Sequence, residues 1–129
     1  MTAHTLTIPA PMTITRAGKR TTLWITSNRR FHWREKARLT RMWRTAAYLG
    51  ARRAGIPHLE RAHITAHVHR MRGGRFDPTN WADTAKAALD GVVDAGVLPD
   101  DDHAHVTGPD MRAGEPRGEP CLVLTITPA

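Results

Sequence analysis

Residues 60–71 read ERAHITAHVHRM, and this alternation constrains the fold more than any other feature of the chain. Side chains on a strand point to opposite faces with a period of two, so Ala62, Ile64, Ala66 and Val68 share one side. His63, Thr65, His67 and His69 share the other. A strand with one apolar side belongs in a sheet that is covered on that side. The histidines invite a metal reading, but residues two apart along a strand lie roughly 6.6–6.8 Å apart, too far for easy chelation. They are expected to face solvent or a bound polyanion.

The same period appears in HTLTIPAPMTIT, through Leu6, Ile8, Met12 and Ile14, and predicts two short strands or a hairpin. TTLWIT, HAHVTG and CLVLTIT are further strand candidates, and the proline- and glycine-rich PDMRAGEPRGEP predicts a loop. Two segments follow the helical period instead. Over residues 34–53, Ala37, Trp43, Ala47 and Ala51 form one apolar stripe, and Gly55, Ile56 and Pro57 end the helix. Over residues 81–95, Ala85, Ala88, Leu89 and Val92 form another. Asn80 is expected to cap it, with Asp83 completing a capping-box-like pair and Gly96 supplying the stop. Trp33 and Trp43 are expected in the core, and Trp81 at a dimer contact or under a metal-holding loop. The predicted class is α+β: a mixed sheet of short strands carrying two main helices, one domain over residues 1–129.

Charge narrows the partner. Lys and Arg number 19 against 12 Asp and Glu, the formal net charge is +7, and the pI is near 11.0. Such an excess suits nucleic acid or an acidic membrane surface, although an Arg- and Ala-rich composition also follows from GC-rich coding. The first predicted helix carries Arg34, Lys36, Arg38, Arg41, Arg44, Arg52 and Arg53 with Glu35 as the acid among them. Like charges at i, i+4 destabilise a helix unless something neutralises them, which favours phosphates as the neutraliser over a solvated face. RMRGGR adds Arg70, Arg72 and Arg75 on a flexible loop. Cys121 is the single cysteine, expected to be buried and inert, so neither an internal disulfide nor a cysteine zinc site is available. No apolar run reaches the roughly 20 residues of a membrane span. The opening residues lack a signal peptide's pattern, which predicts a cytoplasmic protein.

Every Asp of this basic chain falls between Asp77 and Asp110. Asp77 stands before the second helix, and Asp100, Asp101 and Asp102 follow it, where the helix dipole already adds negative charge. Two unit charges about 4 Å apart repel by about 4 kcal/mol at an effective dielectric near 20, but only about 1 kcal/mol in water. The run is therefore either an exposed, inexpensive turn or a seat for a divalent cation. Hard oxygen donors of this kind suit Mg²⁺.

Four stretches together resemble the RusA family of Holliday-junction resolvases, in its phage and actinobacterial form. They are DPTN from Asp77, Lys86 within TAKAALD, DGVVDAGVLPDDD ending at Asp102, and HAHV ending at Val106. GPDMR, LVLTI and SNRRFHWREKARLTRMWR are also similar, so the resemblance covers most of the chain from Ser27. It implies a RusA-like homodimer that cuts four-way DNA junctions with Mg²⁺, or with Mn²⁺ as a substitute. Asp77, Lys86 and Asp101 would be catalytic, and Asp77, Asp101 and Asp102 would hold the metal, with the register within the triple acid open. Arg34, Arg38, Arg41, Arg70, Arg72 and Arg75 would grip DNA. In one place the chain departs from the family: Thr79 stands where the pattern has a second aspartate. Asp83 or Asp100 would then compensate, or the protein would bind branched DNA and cut it poorly. Asp90 and Asp94 are expected to be surface or helix-contact residues and not ligands.

Overall fold

A computed structural model describes residues 2–129. Its main sheet has four strands: β1 (His4–Pro9), β4 (Ala62–His69), β5 (Val106–Ala113) and β6 (Cys121–Pro128), ordered β1-β6-β4-β5. The β1–β6 and β6–β4 pairs are antiparallel and β4–β5 is parallel, so the sheet is mixed. Two helices, α1 (Trp33–Ala54) and α2 (Ala82–Asp94), complete the α+β class that the sequence predicts. A separate hairpin is formed by β2 (Met12–Ile14) and β3 (Arg20–Thr22). The hairpin is thus made of β2 and β3, whereas β1 belongs to the main sheet. No helix among the described residues is long and apolar enough to cross a membrane.

The alternation in β4 is realised: Ala62, Ile64, Ala66 and Val68 are buried, and His63, Thr65 and His67 are half-buried on the other side. His69 departs from the pattern. It is buried at the strand's end, its Nδ1 meets the Glu115 carbonyl at 2.8 Å, and a Cβ on Gly114 would strike its ring. Leu6 and Ile8 of β1 and Leu122, Leu124 and Ile126 of β6 share the core with β4's apolar side. Cys121 is buried as expected.

Two segments are ordered differently from expectation. TTLWIT is strand only to Thr22; beyond it Thr84 Oγ1 accepts from the Ile25 amide at 3.0 Å and donates to the Ile25 carbonyl at 2.8 Å. One buried threonine on α2 thereby replaces a strand partner. β5 extends through Pro109 to Ala113, into the segment predicted as loop. Proline is tolerated there because β5 is an edge strand and the ladder shifts register: His63 pairs Thr107 and Thr65 pairs Asp110. Gly108 fits the bulge at φ 101°, with a would-be Cβ only 2.4 Å from the Ile64 carbonyl oxygen.

α1 begins where His32 Nδ1 accepts from the Arg34 amide at 3.2 Å and ends at Gly55, φ 64°. It buries Leu39, Trp43, Ala47 and Ala51; Leu39 takes the place predicted for Ala37. Trp43 is fully buried and its indole donates to the Leu23 carbonyl at 2.9 Å, but Trp33 is 69% exposed at the helix start, contrary to the core expectation. α2 buries Ala85, Ala88, Leu89 and Val92 as predicted. Its cap is not Asn80. A 3₁₀ turn (Pro78–Trp81) leads straight into the helix, Asp77 caps that turn, and Asn80 accepts instead from the Ser27 hydroxyl at 3.1 Å. The helix end is a Schellman arrangement, with Val97 N–H on Val92 C=O and Gly96 N–H on Val93 C=O.

Candidate functional site

Lys86 and Asp90 lie four residues apart, and that spacing puts them on one side of α2. The turn after Val97 and Leu98, both buried as anchors, brings Asp101 back over that side. Lys86 Nζ donates to Asp101 Oδ2 at 2.9 Å. The Asp90 carboxyl lies near enough to Asp101 that each shifts the other's acidity. Asp100 folds back locally, accepting from the Asp101 amide at 2.7 Å. A hollow of about 210 Å³ between α1 and α2 adjoins this group, walled by Lys36, Asp83, Lys86 and Asp90. Lys36 donates to Asp83 at 3.2 Å across it.

The charges respond accordingly. Asp101 is held below the ordinary carboxylate range, chiefly by the Lys86 hydrogen bond. Asp90 is pushed up, first by burial and then by the hydrogen bond it shares with Asp101. The Lys86 ammonium is raised by Asp101. The two shifts run in opposite directions, so Asp101 is the more acidic carboxyl of the pair.

Asp77 is placed differently. Its Oδ1 accepts from the Thr79 hydroxyl at 2.7 Å and the Thr79 amide at 3.0 Å, which together hold its carboxyl low. Thr79, the departure from the resolvase pattern, is thus Asp77's hydrogen-bond donor. The groups acting on Asp101 are Lys86, Asp90 and Asp100, none of them from the Asp77 turn. Asp102 accepts from the Ala104 amide at 3.2 Å and stands 4.0 Å from His105 Nε2. Asp83 is taken by Lys36, not by a capping role. Among the described residues no three His, Cys, Asp or Glu side chains converge as a metal-holding group. The donors that do meet, Asp90 and Asp101, form a pair. Mg²⁺ commonly takes one or two carboxylates and completes its shell with water and phosphate, so the pair fits such an ion.

Asp90 is the member of this group that sequence reasoning misses. Its signal is the i, i+4 relation to Lys86, which by itself predicts only a surface ion pair within the helix. The turn's return over the helix is a tertiary event. Asp94 is the helix contact expected of it: Arg44 clasps it at 2.6 and 2.9 Å.

The predicted DNA-contacting arginines divide into two groups. Arg38 is bound to Glu35 at 2.9 and 3.2 Å. Arg70 turns into its own loop, donating to the Gly74 carbonyl at 2.8 Å and lying 3.8 Å over the Phe76 ring. Trp81 packs beneath, edge-on to Phe76 at 5.2 Å. Arg34, Arg41, Arg72 and Arg75 have no carboxylate partner among the described residues. His63 is not grouped with the other strand histidines: its Nε2 meets Asp110 Oδ2 at 2.6 Å. No protein-family model matches the chain, and no curated protein matches it at a significant level.

Proposed function

We propose that the protein is a Mg²⁺-dependent, structure-selective endodeoxyribonuclease of the cytoplasm that acts as a homodimer on four-way DNA junctions. The observation that carries the reading is the contact of Lys86, Asp101 and Asp90 beside a hollow on a chain of net charge +7. Two neighbouring carboxyls whose charges oppose each other form a site that a cation would neutralise. Asp101 and Asp90 would hold the ion; Asp77 and Asp102, which the resemblance names as donors, do not converge with them among the described residues. Bound there, the metal would neutralise charge on a phosphodiester and activate water. Lys86 is 67% exposed, so its ammonium can leave Asp101 for the scissile phosphate as negative charge develops. Arg34, Arg41, Arg72 and Arg75 would hold the backbone in a largely sequence-neutral way. A two-fold dimer would offer one hollow to each of two strands.

Thr79 supports a second reading. Because it occupies an Asp77 oxygen and supplies no carboxylate, a protein that grips branched DNA without cutting it is the alternative. Incubating the protein with a synthetic four-way junction and a linear duplex, in Mg²⁺ or in EDTA, separates the two. Symmetric Mg²⁺-dependent nicking, lost in Asp101→Asn and Lys86→Met, is the outcome expected of the enzyme. Tight junction binding with no nicking in either condition selects the binder, and equal weak binding to both DNAs removes both readings.

A further inference from the structure

Away from the hollow between the helices, the β2–β3 hairpin and the loop after β4 border a second, open cavity of about 490 Å³. Lys19 and Arg20 of the hairpin, Met71 and Arg72 of the loop, and Trp24 between them form its wall. Three of the lining residues are cationic and none is acidic. Lys19 and Arg72 have no carboxylate partner among the described residues, and Arg20 reaches only the 87%-exposed Glu119, at 3.5 Å. A cavity of this sign excludes cations and selects an anion.

Trp24 adds a second requirement. One face of its indole stacks on Trp43 at 5.3 Å and 16°, and Trp81 meets it edge-on at 6.4 Å and 78°. Trp43 is itself fully buried and pinned by its hydrogen bond to Leu23. Trp24 is therefore held in one orientation while remaining half-buried, and its surface in the cavity is a rigid aromatic wall. A rigid ring beside unpaired cations is what a planar base attached to a phosphate requires, since bases stack on aromatic side chains whatever their identity. The size lies within the roughly 300–1,000 Å³ range of small-molecule sites.

The geometry points to a nucleotide site: the cavity takes one unstacked nucleotide, its base against Trp24 and its phosphates on Lys19, Arg20 and Arg72. The nucleotide can belong to a single strand or be free. The inference does not rest on cleavage at Asp101, and its test is run in EDTA so that the two can fail separately. Trp33 is exposed and would respond to any bound DNA, so Trp33→Phe protein is the background for tryptophan fluorescence. Saturable quenching is expected with short oligothymidylate or with dTMP; quenching by dTMP alone identifies a free nucleotide as the source. Inorganic phosphate should compete at least about fivefold more weakly than dTMP, because stacking of one base is worth about 1–3 kcal/mol. Lys19→Ala with Arg72→Ala alters only exposed side chains. It should make the dependence of log K for the oligonucleotide on log salt shallower by about 1.4, roughly 0.7 for each phosphate that is no longer neutralised. Absence of quenching by both ligands, phosphate competing as well as dTMP, or an unchanged salt slope would each overturn the site.

Discussion

Asp90 presents the sharpest question at the scale of single residues, because burial and a second carboxyl both act to keep it protonated. Its folded pKa is raised, so the stability linked to it is complete below the ordinary carboxylate range and is lost as pH rises through the raised value. Asp101 behaves oppositely: its folded pKa is depressed, and the stability that it contributes with Lys86 is lost as pH falls through the depressed value. Asp90→Asn keeps a hydrogen bond to Asp101 without needing a proton. Thermal unfolding should therefore show the variant gaining on the parent as pH rises above the ordinary carboxylate range, while the proposed Mg²⁺-dependent nicking falls. A constant difference in Tm over that rise would refute the raised Asp90 pKa. Thr84 carries a prediction of a different kind. Thr84→Val keeps the shape and strands the buried Ile25 amide and carbonyl, each at about 1–3 kcal/mol; urea unfolding should show a loss of about 2–6 kcal/mol in total. That role is not legible in the sequence, where Thr84 is a polar residue in a helix and its partner is 59 positions away. Lys86 and Asp101 are legible as candidates, through the resemblance; Asp90's approach to Asp101 is not, because helical period places Asp90 but says nothing of where the turn returns.

At the scale of elements, the two helices determine the candidate site's shape, and Gly91 determines how closely they pack. A Cβ at Gly91 would lie 2.1 Å from the Arg44 carbonyl oxygen and 2.9 Å from the Tyr48 amide, both backbone atoms of α1 that cannot move alone. Gly91→Ala should separate the helices and lower stability by about 1–3 kcal/mol or more, the usual range for overpacking. Because Lys36 meets Asp83 and Arg44 meets Asp94 across the same seam, the variant should also release those pairs, which a comparison of its Tm at low and high salt would register as a smaller salt effect. The helices and the main strands are readable from their periods because each buries one continuous side. The edge strand β5 is not: its proline and glycine resemble a loop, and only pairing with β4 through a bulge makes them strand. The cap of α2 escapes the sequence for a related reason, since Asp77 and Asn80 compete for one helix start and the 3₁₀ turn decides in favour of Asp77.

Across the whole molecule, the positive charge is less free than composition suggests. Periodicity shows α1 as a helix with one internal acid, which makes phosphate the expected neutraliser. In the fold, Lys36 and Arg44 find Asp83 and Asp94 of α2, 47 and 50 positions away, and Arg38 finds Glu35. What remains for a polyanion on α1 is Arg34 at its start and Arg41 two turns further on, with Arg52 and Arg53 at its end. Arg34 already leans on the exposed Trp33 ring, 5.1 Å away, an arrangement that keeps its guanidinium at the surface. A phosphate contact releases counterions and a structural ion pair does not, so the two kinds of arginine differ in what salt does to binding. On duplex or junction DNA, Arg34→Ala and Arg41→Ala should each make the slope of log K against log salt shallower by about 0.9. Arg44→Ala should leave that slope unchanged and lower Tm, through the loss of its clasp on Asp94. Measured by fluorescence anisotropy over a salt series, an equal slope change for all three variants would mean that α1 meets DNA along its whole basic side and that the Arg44–Asp94 pair opens on binding.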